Sequence, residues 1–178
     1  AAMLKGGVSA LIPEGLEKIA LFIVLSPLIG WFLGMLLMLT MLWTFRNAHP
    51  HKVGVYFRKL QLVSAAIYSF GHGTNDAQKT MGIIALVLFT SGHLGPEFYV
   101  PTWVIFAAYA AIALGTLSGG WRIVKTMGMK ITKLQPIGGF CAETAAAISI
   151  IGASVAGIPV STTHTITGGI IGVGTTLR

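Results

Sequence analysis

Apolar positions run along this chain in blocks of membrane length, separated by short basic or polar interruptions. The first block, Ile19–Phe45, exceeds the roughly 20 residues a helix needs to cross a bilayer core of about 30 Å. It contains Ser26–Pro27 and Gly30, which predicts a helix kinked near Pro27, where a backbone donor is lost. A second block, Leu60–Thr90, is apolar at both ends and polar in the middle, at Phe70–Gly71–His72–Gly73–Thr74–Asn75–Asp76–Ala77–Gln78–Lys79. Its midpoint falls on Asn75. A carboxylate beside that midpoint costs about 2.5–3.5 kcal/mol unless a cation, a partner or water compensates it. Gly71 and Gly73 are poor helix-interior residues, so a broken helix is predicted here. Its freed backbone groups would then line a cavity, which reads as an ion or substrate site.

A further span covers Pro101–Leu117. The last two blocks, Ile137–Ala156 and Pro159–Leu177, differ in kind, being rich in Gly, Ala, Ser and Thr and meeting at Gly157–Ile158–Pro159. Two arrangements fit them: a pair of close-packed full spans, or a re-entrant hairpin with its tip near the midplane. Small residues permit close backbone approach in either case. The chemistry of the tip favours the hairpin. The expectation is an all-α membrane protein with about four to six transmembrane or re-entrant helices, forming one membrane domain over residues 1–178. Residues 1–18, mixed and near neutral, read as an interfacial stretch.

Composition supports a chain that uses lipid as its solvent. It is 54% hydrophobic and 10% charged, with mean hydropathy +0.79. The formal charge of +7 does not call for nucleic acid, because the basic residues sit between apolar blocks. The stretch 46–59 carries Arg46, Lys52, Arg58 and Lys59 with His49 and His51, and 119–135 carries Arg122, Lys125, Lys130 and Lys133; neither has an acid. The stretch 91–100 carries Glu97 and no lysine or arginine. The positive-inside rule then makes 46–59 and 119–135 cytoplasmic loops and turns 91–100 outward. A multi-pass protein of the cell membrane is expected. The single cysteine, Cys141, excludes an intramolecular disulfide, and the first residues show no cleavable signal.

Two polar clusters carry the candidate chemistry. Pro159–Val160–Ser161–Thr162–Thr163–His164 looks like a helix start, with proline at the approach and a hydroxyl at the N-cap. Free N–H groups, the positive end of the helix dipole and three hydroxyls suit an oxyanion. The bland reading is that these hydroxyls only cap the helix or bond to its own carbonyls. Asp76 and Glu143 are the carboxylates inside apolar blocks. With hydroxyls and exposed carbonyls they suit a hard cation such as sodium. Against that stand an ion pair of Asp76 with Lys79, one helical turn on, and a protonated, hydrogen-bonded Glu143. His72, His164 and Lys79 sit beside these clusters, as a proton relay or as hydrogen-bonding support. Ser161, His164, His72 and Asp76 include the residue types of a nucleophilic triad, but Ser161 lacks a glycine-flanked setting, so no enzyme is expected. An anion channel subunit is the nearer rival.

At these residues the chain resembles the inorganic phosphate transporter (PiT) family, in particular its C-terminal repeat. The matching stretches are His72–Lys79, Gly138–Gly139–Phe140–Cys141–Ala142–Glu143–Thr144 and Pro159–His164; Ser26–Gly30 is also similar. The resemblance implies secondary transport of inorganic phosphate, by symport with sodium or protons, around a site shared by two inverted repeats. It assigns Asn75, Ser161, Thr162 and Thr163 to phosphate, and Asp76 and Glu143 to the coupling cation. No other cofactor is implied. This sequence holds one set of motifs where the family has two. The resemblance therefore implies a fragment or a split half, completed by an N-terminal repeat, a partner chain or a second copy in a homo-oligomer.

Overall fold

The computed structural model describes residues 12–177, without the side chains of residues 123, 124, 128, 130 and 131. Among them it is wholly α-helical, with five helices: α1 (Pro13–Thr44), α2 (Pro50–Thr90), α3 (Thr102–Lys125), α4 (Pro136–Val155) and α5 (Thr162–Thr175). A π-helical turn, Thr126–Ile131, follows α3 directly. Three of these are long and apolar enough to cross a membrane: α1, the 102–122 part of α3, and α4. The expected all-α membrane architecture is therefore present. Residues 1–11 of the N-terminal stretch lie outside the described residues; residues 13–18 begin α1.

Proline starts three of the helices. Pro13, Pro50 and Pro136 each occupy the first turn of α1, α2 and α4, where a missing N–H goes unused. Pro50 also shortens the expected basic loop 46–59, since residues 50–59 are already helical. The stretch 119–135 is likewise not a loop throughout. The helix α3 runs on to Lys125, with Arg122 and Lys125 in its last turn, where a cation suits the dipole.

The broken helix is not found. Residues 50–90 form one unbroken α-helix of 41 residues, about 61 Å long, with Gly71 and Gly73 inside it. The energetics explain the outcome. Two glycines cost about 1 kcal/mol each in a helix, whereas each backbone group left unpaired away from water costs several kcal/mol. Gly71 is also used for packing, since a Cβ there would press on Ile151 at 3.1 Å. Continuity has a second effect. Gln61, Ser64, Tyr68, His72, Asp76 and Lys79 recur at three- and four-residue steps, so they share one face of α2. The polar middle of this face keeps α2 out of the set of apolar spans, although Leu60–Thr90 was expected to cross.

Backbone meets backbone between α1 and α5. The buried face of α1 is Ser26, Gly30, Gly34 and Met38, at every fourth residue. A Cβ on Gly30 would strike the Thr165 carbonyl, one on Gly168 that of Pro27, and one on Gly172 that of Trp31. This is the packing mode of small-residue membrane interfaces. The other faces of α1 stay apolar and outward, as at Val24, Leu28 and Phe32. On its other flank α5 packs antiparallel to α4, around Met38, Cys141, Ala142, Ile170 and Val173. In turn α4 lies parallel to α2, with Phe140 against Phe57 at the start and Gly71 against Ile151 near the end. The remaining helix, α3, packs on α2 through Ala77, Met81, Val104 and Ala108.

This layout makes α4 and α5 a hairpin that turns back partway along the bundle. The helix α4 ends in a Schellman motif: Gly157 at φ +67 follows the helix, Ile158 N donates to Ala153 O and Gly157 N to Ser154 O. The tip then meets α2 at Asp76 and Lys79, and α2 continues eleven residues, about 17 Å, to Thr90. With 14 residues, about 21 Å, α5 alone falls short of a bilayer core. The tip of the α4–α5 hairpin thus lies beside the middle of α2 and short of its end.

Candidate functional site at the hairpin tip

Two segments that are far apart in sequence converge here. Thr162 Oγ1 donates to Asp76 Oδ2 at 3.3 Å, and Lys79 Nζ donates to the Val160 carbonyl at 2.9 Å. Lys79 also pairs with Asp76 Oδ1 at 3.1 Å, as their spacing on one helical face foretold. His72 Nδ1 lies 3.6 Å from Asp76 Oδ2, and its ring stacks on Tyr68. The two polar breaks of the sequence, Asn75–Asp76 and Ser161–Thr163, thus lie side by side.

Each predicted anion-binding residue has a definite place. Ser161 is the N-cap of α5, and its Oγ accepts from His164 N at 3.4 Å, so the capping reading holds for this hydroxyl. The first intrahelical bond runs from Thr165 N to Ser161 O, so the N–H groups of Thr162 and Thr163 precede it. Thr162 is 3% exposed and committed to Asp76, whereas Thr163 is exposed and faces a cavity. Asn75 is 5% exposed, and its Nδ2 has no hydrogen-bond partner among the described residues. A buried amide donor left without a partner costs about 1–3 kcal/mol, so it is suited to meet an anion.

Glu143 stands apart from this cluster. Its Oε2 accepts from Ser64 Oγ at 2.6 Å. Ser64 precedes Asp76 by twelve residues, about 18 Å along α2, so the two carboxylates do not form one ligand set. Between them lies a cavity of about 760 Å³ walled by α2, α3, α4 and α5, with Gln61, Tyr68, His72, Glu143 and Thr163 in its lining. No cluster of three or more His, Cys, Asp and Glu that could hold a metal ion occurs among the described residues. His164 is exposed and contributes its backbone rather than its ring. Ser161 Oγ accepts from the His164 backbone N–H, and among the described residues no histidine ring takes a hydrogen bond from its hydroxyl as a base would.

Sequence reasoning missed Gln61, Ser64, Tyr68 and the Val160 carbonyl. The signal for the first three was present as the helical spacing of polar residues in the apolar run Leu60–Tyr68, but it emerges only if α2 is continuous. The Val160 carbonyl had no signal, since any residue carries one.

The family model for the phosphate transporter family matches residues 1–178. A "Probable low-affinity inorganic phosphate transporter" of Rhizobium meliloti is 60% identical over the whole chain, which covers 53% of that relative. One of the same name from Bacillus subtilis is 43% identical, again over the whole chain and 54% of the relative. The chain thus spans about half the length of these curated relatives. No solved structure matches it. Shared sequence over the full length, on a scaffold of helices long and apolar enough to cross a membrane, settles the affiliation: this chain is an integral membrane protein and belongs to the phosphate transporter family.

Proposed function

We propose that the protein carrying this chain moves inorganic phosphate across the membrane by cation symport, with this chain supplying one half of the transport site. The observation that carries the reading is the meeting of α2 with the hairpin tip, Thr162 to Asp76 at 3.3 Å, partway along the bundle. There the leading N–H groups of α5, the Thr163 hydroxyl and the unpartnered Asn75 amide supply donors for an oxyanion. Charge compensation falls to the carboxylates and what they hold: Asp76 beside the anion, and Glu143 at the far end of the cavity. A cation bound with phosphate offsets its charge in a medium of low dielectric. Sodium and a proton both fit Glu143, which has no basic partner within 4 Å among the described residues.

A second half, from the same polypeptide, a partner chain or another copy, completes the site and supplies the surface against which this repeat rocks. The basic ends of the helices face the cytoplasm. Uptake of labelled phosphate into proteoliposomes under imposed sodium or proton gradients tests the proposal. Uphill accumulation is expected; strictly downhill flux would make the protein a channel and overturn it.

A further inference from the structure

The sequence leaves the cation at Asp76 open, and the geometry fills that position. Asp76 Oδ1 and the Val160 carbonyl are the kind of oxygens a hard cation takes at a helix break, a carboxylate beside an unpaired carbonyl. Lys79 Nζ already lies between them, at 3.1 Å and 2.9 Å. A surface pair one helical turn apart is worth little and needs no further partner. This one reaches a buried carbonyl on another segment, 81 residues away in sequence. Val160 is 5% exposed and lies just ahead of the α5 N-cap, so its oxygen has no place in the α5 hydrogen-bond ladder. The ammonium satisfies it.

We propose that Lys79 is the resident cation of the hairpin tip, standing where a symporter would otherwise hold sodium, and that it offers its remaining N–H to phosphate. An ammonium carries three donors and no acceptor, and two of the three are taken. The Lys79 side chain is 44% exposed and that of Asp76 34%, so the third donor is open to a ligand at the tip. The Asp76–Lys79 pair is neutral as it stands. A sodium ion at Asp76 would have to displace a tethered cation of equal charge, so none is required there. Asp76 is then a positioning residue for Lys79, and any exchangeable cation belongs to Glu143. This inference rests on the phosphate-transport reading and narrows it.

The test uses the full-length protein in proteoliposomes at a fixed proton gradient, with internal and external sodium replaced by choline. Wild-type phosphate uptake in choline sets the baseline, because any sodium taken at Glu143 acts on the wild type and the Lys79 variants alike. Lys79→Gln removes charge-assisted bonds and should lower uptake in choline by roughly tenfold or more. Sodium should restore that variant in a saturable way and raise its melting temperature in detergent, each beyond any effect on the wild type. Lys79→Arg, which keeps the charge, should respond to sodium no more than the wild type does. A folded Lys79→Gln protein that sodium neither restores nor stabilises beyond the wild type overturns the inference and leaves phosphate transport standing. Absence of wild-type phosphate uptake under every gradient instead sinks the functional reading itself. Should Lys79→Gln fail to insert, Lys79→Arg decides: sodium that stimulates this variant several-fold more than the wild type overturns the inference.

Discussion

At the scale of single residues, the proposed site divides into donors for an anion and carboxylates for a cation. Thr162→Val keeps the volume of a buried side chain but removes the donor to Asp76 Oδ2. A hydrogen bond to a charged group is worth about 1.5–3 kcal/mol, so phosphate affinity should fall roughly 10- to 100-fold. Direct binding measurements on the purified protein check this, and unchanged affinity would remove Thr162 from the site. Glu143→Gln keeps the shape and the Ser64 contact while deleting the charge. It should abolish uphill accumulation and leave phosphate affinity within about threefold of wild type, since the Glu143 contact on α2 lies about 18 Å from Asp76. Counterflow assays, which need no driving gradient, separate the two effects. At this scale Asp76, Glu143 and the Ser161–Thr163 turn were legible because a polar residue inside an apolar block has few reasons to be there. The pairing of Glu143 with Ser64 was not, because serine is common in such blocks and its partner is 79 residues away.

At the scale of elements, the continuity of α2 is the departure from expectation with the largest consequences. Gly73 has nothing within 4 Å of a Cβ built upon it. If the helix is continuous there, Gly73→Ala should stabilise the protein by about 0.5–1 kcal/mol. At Gly168 the same change should cost about 1–3 kcal/mol, because the new Cβ meets the Pro27 carbonyl in the α1–α5 seam. Thermal unfolding in detergent checks both, and a destabilised Gly73→Ala would mean that α2 is interrupted after all. Glycine content pointed correctly to close packing and wrongly to a break, because its helix penalty is small beside that of unpaired backbone in an apolar medium. The hairpin was legible from Gly157, Pro159 and the hydroxyl-rich turn that follows. Its depth was not, since that depends on which residues of α1 and α2 it meets.

At the scale of the whole molecule, the helices sort their ends by charge. Phe45 packs on Phe57 and Phe57 on Phe140, and Gly174 lies against Thr132. The start of α2, the start of α4 and the end of α5 therefore share one end with the basic residues of 46–59 and 119–135. The turn 91–100 lies at the other end, with Phe89 on Phe98. Given the positive-inside rule, Glu97→Cys should react with a membrane-impermeant thiol reagent in intact cells. Lys133→Cys should react only after permeabilisation, and the reverse pattern would invert the orientation. The native Cys141 is buried and gives a low background.

Taken alone, the sequence determined the solvent, the helical class and the charge asymmetry of the ends. These follow from composition and block length, which act on each segment separately. It also determined which polar residues had to be explained, because an apolar surrounding makes each of them costly. Tertiary structure decided which of those residues meet. It laid the hairpin tip beside Asp76 and Lys79, separated Glu143 by about 18 Å of helix, and chose an unbroken α2 over a local break. Such choices depend on contacts between segments 79 to 86 residues apart. Their energies are set by geometry across the bundle, which no local pattern encodes.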